Sequence, residues 1–250
     1  MKDTGESVSR LLRVVARLRD PENGCPWDAA QNFNSIVPHT LEEACEVADA
    51  IERGDLEQLA DELGDLLFQV ALYAQLGAEE NRFDFVQVVD NLSDKLIRRH
   101  PHVFAGTRHQ SGTALSTAWE EQKKHERQER ARRNRRQAGI LDDIPLTLPA
   151  LARAVKLQKR ALQYGRAGGD VDSALERVRA NADALRGAQH ADAGKNQEAE
   201  MLLGQMLFNC ADAARHLGLD AEQALRGANR RFAESVAAQT EHGHRPGAKN

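Results

Sequence analysis

Leu63-Gly64-Asp65-Leu66-Leu67-Phe68 is answered in the second half of the chain by Leu203-Gly204-Gln205-Met206-Leu207-Phe208, and Ala71 and Ala74 by Ala211 and Ala214 at the same offset. Apolar residues recurring at three- and four-residue intervals mark an amphipathic helix, and their return at a fixed separation marks an internal repeat. The fold this implies is all-α, built from a duplicated helical unit. The second copy keeps the apolar positions but not the acids, since Leu202 and Gln205 stand where the first copy has Glu62 and Asp65. One copy has kept chemistry; the other has kept packing.

The remainder of the 250 residues agrees with helix. Aromatics make up 4%, and Ala, Leu, Glu, Gln and Arg dominate over β-branched residues. With 41% apolar residues the chain can fill a sizeable core. Its mean hydropathy of -0.60 and its lack of a long apolar run exclude an integral membrane protein. Cys25, Cys45 and Cys210 are odd in number and widely spaced, which fits neither a disulfide framework nor a zinc site. With a polar N-terminus, this reads as a reduced, cytoplasmic protein.

Turn and capping signals divide the pattern. A first helix is expected over 8–18, closed by Asp20-Pro21-Glu22-Asn23-Gly24, then a short helix capped by Asp28 that stops before Pro38. Thr40 and Glu43 read as a capping box for a helix to Arg53, ended by Gly54. Asp55 caps a helix to about Gly77 and Asp84 one to Arg99. Residues 118–136 read as an exposed helical linker, and helical pattern resumes over 151–163, 171–185, 198–217 and 221–238. The expected division is a catalytic unit 1–117, a basic linker 118–140, a degenerate unit 141–245 and a tail 246–250.

A net charge of only -4 conceals two blocks of opposite sign. Between Leu41 and Asp65 ten acids face one base, Arg53, which points to a cation site; between Lys123 and Arg136 eight Lys and Arg meet Glu126 and Glu129. The interleaved acids and the shortage of aromatics beyond Trp119 read the basic block as a solvated linker, not a nucleic-acid contact.

Glu43 and Glu46 are three apart on one helix, and Glu62 and Asp65 three apart on the next, so each pair projects from one face. Fifteen residues lie between the pairs, Gly54 among them, and a hairpin turned there brings the pairs face to face. Converging carboxylates repel unless a cation holds them, and all-oxygen ligands favour Mg²⁺ or Mn²⁺ over zinc. The bland alternative is a solvated acidic face. Against it, Asp65 lies in a run from Leu63 to Val70 that is apolar apart from Gln69, and reads as core-facing. Lys95 and Arg99, one turn apart, either bridge phosphate oxygens or simply complement a helix dipole. Trp27 either stacks on a base or plugs the bundle, and His100 and His102 read as ordinary helix-end residues.

Glu42-Glu43-x-x-Glu46 followed by Glu62-x-x-Asp65 resembles the ExxE…ExxD signature of the all-α nucleoside triphosphate pyrophosphohydrolases. The surrounding stretches resemble the MazG family more closely: 18–28 (Leu-Arg-Asp-Pro-Glu-Asn-Gly-Cys-Pro-Trp-Asp), Thr40-Leu41-Glu42-Glu43, 64–70, 98–104 and Leu141-Asp142-Asp143-Ile144-Pro145. The likeness covers nearly the whole chain. It implies tandem four-helix bundles, Mg²⁺-dependent hydrolysis of NTPs or dNTPs to the monophosphate and pyrophosphate, and a homodimer. By position it makes Glu43, Glu46, Glu62 and Asp65 metal ligands and Lys95 and Arg99 triphosphate contacts, with Glu42 orienting or deprotonating the attacking water or serving as a further ligand.

The second half departs from the pattern. Its aligned positions read Asn181, Ala184, Leu202 and Gln205, with Arg231 kept and Ser235 in place of the second base. Catalysis is therefore expected in the first half alone. The rival reading is a non-catalytic nucleotide-sensing or partner-binding protein.

Overall fold

The computed structural model describes residues 3–105, 112–133, 139–165, 168–188 and 196–243, and every regular element in them is a helix. They are α1 (Thr4–Leu18), α2 (Pro26–Ala30), α3 (Val37–Arg53), α4 (Leu56–Glu79), α5 (Phe85–Arg99), α6 (Pro101–Phe104), α7 (Gly112–Arg133), α8 (Ala150–Gln163), α9 (Val171–Ala188), α10 (Asn196–His216) and α11 (Ala221–Gly243). The all-α expectation holds. The chain divides into two compact units, residues 1–120 and 121–250. The expected 246–250 tail and the end of the 118–136 helix lie outside the described residues.

In the first unit, Asp3 starts α1 by accepting the Gly5 amide at 3.0 Å, one turn before the expected start. After α1 the chain folds back so tightly that a Cβ on Gly24 would stand 2.4 Å from the Leu18 carbonyl, so only glycine fits. Arg19 holds this corner. Its guanidinium meets Glu79 through Nε at 2.8 Å and Nη2 at 2.6 Å, while Nη1 donates to the carbonyls of Asp28 and Gln31 at 2.6 and 3.2 Å. One side chain thereby ties the ends of α1, α2 and α4 together.

Two capping expectations are corrected. Asp28 is buried inside α2, whose N-cap is Cys25. Pro38 does not stop a helix; it lies in the first turn of α3, where its missing N–H would be unsatisfied anyway. Thr40 is therefore already inside the helix, and its hydroxyl bonds the Ile36 carbonyl and the Tyr73 hydroxyl, at 3.2 and 3.0 Å, instead of capping. Asp55 and Asp84 do cap α4 and α5, accepting from Gln58 and Gln87 amides at 3.0 and 2.8 Å.

α4 packs on α1, α3 and α5. Val15, Ile36, Ala71 and Leu72 form the buried centre, flanked by Leu11, Leu12, Phe68 and Tyr73. Truncating a wholly buried leucine such as Leu72 to alanine costs about 2–5 kcal/mol. Asp65 is not core-facing, contrary to the sequence reading: within its run Phe68 and Gln69 turn inward, but Asp65 is exposed, as are Leu63, Leu67 and Val70 at 49%, 43% and 39%. α4 is apolar around much of its circumference, and α1 and α3 cover only part of it.

The second unit repeats the pairings, with α10 packed on α8, α9 and α11. α7 is a charged helix in which His125 approaches Glu129 at 3.8 Å and Lys124 lies over the Tyr164 ring at 5.6 Å from its centroid.

Candidate active site

The site grows from the turn between α3 and α4. Gly54 takes the left-handed conformation (φ 71°) that ends α3, and Asp55 restarts the chain at once as the cap of α4. The two helices form a hairpin, and the spacing of the acids puts them on its facing sides. Glu43 from α3 and Glu62 and Asp65 from α4 each offer a carboxylate oxygen, and these oxygens lie within 4.8 Å of one another.

Glu46 stands beside this trio. Loss of solvent around its carboxyl, then the charges of Glu62, Glu43 and Glu42, push its pKa above the usual carboxylate value. Glutamine amides brace two of the acids: Gln69 donates to Glu43 Oε1 at 3.3 Å and Gln58 to Glu62 Oε1 at 2.9 Å. Gln69 is buried, and its own Oε1 has no partner. It is the polar exception in the 63–70 run, and that is the signal by which sequence could have singled it out. Gln58 carries no such signal.

Glu42 is exposed on α3, and His39 Nδ1 lies 3.6 Å from its Oε2. The half-exposed Trp27 ring meets His39 edge-on at 5.5 Å. Trp27 is therefore not a plug of the bundle, and His39 joins it to Glu42, a link the sequence reading missed. Lys95 and Arg99 lie one turn apart on α5, both half-buried. Lys95 makes no ion pair with the clustered carboxylates. At the same end of α5, His100 Nδ1 lies 2.7 Å from the Leu96 carbonyl, an ordinary end contact.

Carboxylates facing across a helical hairpin form a group able to hold a metal ion, and comparison with known proteins gives the all-α chain its class and family. Residues 31–104, which hold the whole hairpin, match the MazG nucleotide pyrophosphohydrolase domain. The nucleoside triphosphate pyrophosphohydrolase of Escherichia coli (strain K12) is 45% identical over 225 residues, 90% of this chain and 84% of the relative. The nucleoside triphosphate pyrophosphohydrolase/pyrophosphatase MazG of Thermotoga maritima is 33% identical over 234 residues, 94% of this chain and 86% of that one. A nucleoside triphosphate pyrophosphohydrolase of Mycolicibacterium smegmatis is 35% identical over 176 residues, 70% of this chain and 52% of the relative. The chain belongs to the MazG family of nucleoside triphosphate pyrophosphohydrolases.

Proposed function

We propose that the chain hydrolyses nucleoside triphosphates, ribo or deoxyribo, to the monophosphate and pyrophosphate at the α3–α4 hairpin of its first unit. Family membership gives the reaction class. The location rests on one observation, the convergence of Glu43, Glu62 and Asp65 within 4.8 Å. No second group of this kind occurs among the described residues, and the second copy has Asn181, Ala184, Leu202 and Gln205 at the matching positions.

The donor set fits a hard divalent cation: it is all oxygen, and loss of solvent around Glu46, then the neighbouring charges of Glu62, Glu43 and Glu42, raises a carboxyl pKa that a bound cation would lower. Glu43, Glu46, Glu62 and Asp65 hold Mg²⁺, or Mn²⁺ in its place. When bound, the metal supplies charge to neutralise the triphosphate and lowers the pKa of a water. Glu42, next to this set and exposed, would orient the attacking water or take its proton. Lys95 and Arg99 hold phosphate oxygens. Trp27 offers a ring face to the base, with its edge-on contact to His39 fixing its direction.

The exposed Leu63, Leu67 and Val70 favour a homodimer, because a second copy would cover the stripe beside Asp65. We assign 1–117 to the catalytic unit, 118–140 to a solvated basic linker, 141–245 to a degenerate duplicate and 246–250 to a tail. The repeated helix pairings support the duplication. No described helix is long and apolar enough to cross a membrane, and a cytoplasmic location completes the reading, with no nucleic-acid partner.

Phosphorus NMR of a dNTP mixture turned over with Mg²⁺ tests the reaction. Equal amounts of monophosphate and pyrophosphate are expected. Orthophosphate as the first product contradicts the proposal, and absence of turnover would favour the nucleotide-sensing alternative.

A further inference from the structure

The second unit has lost the carboxylates of the metal site but has acquired charges where the first unit has none. Carried along the repeat, wholly buried Leu72 corresponds to Asp212 and Gln75 to Arg215. The Asp212 carboxylate accepts from Arg177 Nη2 at 2.8 Å on one oxygen, and from Arg215 Nη2 and Nε at 2.6 and 3.1 Å on the other. The Asp212 and Arg215 side chains are only 14% and 12% exposed. One carboxylate cannot neutralise two guanidinium groups, and a partly buried cluster of this kind is a poor substitute for a packed leucine on stability grounds alone.

A cavity of about 340 Å³ opens beside this cluster. Ala161, Leu162 and Phe208 give it apolar walls, while Arg177, Arg215, Gln158 and the Asp212 carboxylate between the two guanidinium groups give it polar ones. Gln158 is 8% exposed; its amide donates to the Phe208 carbonyl at 2.8 Å, but its Oε1 has no partner. Among the described residues no hydrogen bond occupies Nη1 or Nε of Arg177, or Nη1 of Arg215. With Arg177 itself 44% exposed, the walls therefore combine one positive charge in excess, guanidinium donors open to solvent or a ligand, an unmatched acceptor and an apolar surface, in a volume suited to a small molecule.

We propose that this cavity of the second unit binds a small anion carrying a ring-sized apolar body, with the anionic group on Arg177 and Arg215 and the ring against Leu162 and Phe208. The shared chemistry admits a nucleoside monophosphate or an aromatic carboxylate. Nothing in it requires the metal site of the first unit, and the second copy is then a binding module, not a packing remnant.

Calorimetry on the full chain in EDTA, with AMP and phenylpyruvate as separate probes, tests the proposal and leaves the pyrophosphohydrolase reading untouched. Saturable, one-site binding of at least one probe is expected, the responding probe telling phosphate from carboxylate. Ala161→Phe, which fills the cavity, should weaken it at least tenfold, and so should Arg215→Gln. Glu62→Gln should leave it unchanged. Should Arg215→Gln fail to fold, Ala161→Phe decides. Absence of binding by both probes, binding that survives Ala161→Phe, or binding lost in Glu62→Gln would overturn the proposal.

Discussion

Gln69, buried on α4, donates its side-chain amide to Oε1 of Glu43 across the α3–α4 hairpin at 3.3 Å, while its own carbonyl oxygen has no partner. A side chain with an unsatisfied acceptor in a core is a stability cost. What it supplies is direction, because Glu43 is held toward Glu62 and Asp65. Gln69→Leu should keep the fold, since it removes the orphan as well as the bond. It should raise the Mg²⁺ concentration for half-maximal activity about tenfold, at the low end of what supporting residues contribute to metal sites. A metal titration of activity checks this, and an unchanged midpoint would show that Gln69 only packs.

Glu46 should destabilise the metal-free protein. Its folded pKa is raised, so the folded state binds its proton more tightly than the unfolded state does. The penalty is fully present above the folded pKa and vanishes as pH falls below the ordinary value of 4.5. In EDTA, Glu46→Gln should melt higher than wild type at pH 7, with the advantage fading on acidification. Thermal melts over pH 4–8 read this out, and an advantage that grew toward acid pH would contradict it.

Arg19 and Glu79 should behave with the opposite sign. Hydrogen bonds from Arg19 lower the Glu79 pKa, so the stability they confer is present above about 4.5 and is lost as pH falls through the depressed folded value. Glu79 is partly exposed, so the pair is screened, and Glu79→Gln should cost about 1 kcal/mol at pH 7. Melts of the two proteins should converge toward pH 3. A difference independent of pH would show that the carboxylate charge is not what matters.

How much of this was legible in the sequence depends on how local each feature is. The hairpin was legible because Gly54, the Asp55 cap and the three-residue spacing of the acids are all decided within a few residues. The start of α3 was misread because Pro38 serves equally as a stop or as a first-turn residue, and the choice falls to a tertiary contact, Thr40 with Tyr73. The exposure of Asp65 was misread because α4 is apolar on several sides, and which side is buried depends on neighbours. Arg177 and Asp212 are 35 residues apart, and no local pattern announces that pairing or the cavity beside it.

The exposed stripe on α4 makes a prediction about assembly. Leu67→Glu should shift the protein from dimer to monomer in sedimentation velocity, and should lower turnover because the covered stripe borders Asp65. A wild-type protein that sediments as a monomer at micromolar concentration would contradict the assignment.

The central claim is that chemistry resides on the hairpin and nowhere in the second copy. Pyrophosphate release from dNTPs in Mg²⁺, measured side by side for wild type, Glu62→Gln, Asp65→Asn and Glu200→Gln, tests it most directly. The first two variants should fall at least a hundredfold with helical content unchanged, as expected when a metal site loses a ligand, while Glu200→Gln, at a surviving acid of the second copy, stays within twofold of wild type. Near-normal release by Glu62→Gln or Asp65→Asn, or a collapse in Glu200→Gln, would place the active site elsewhere.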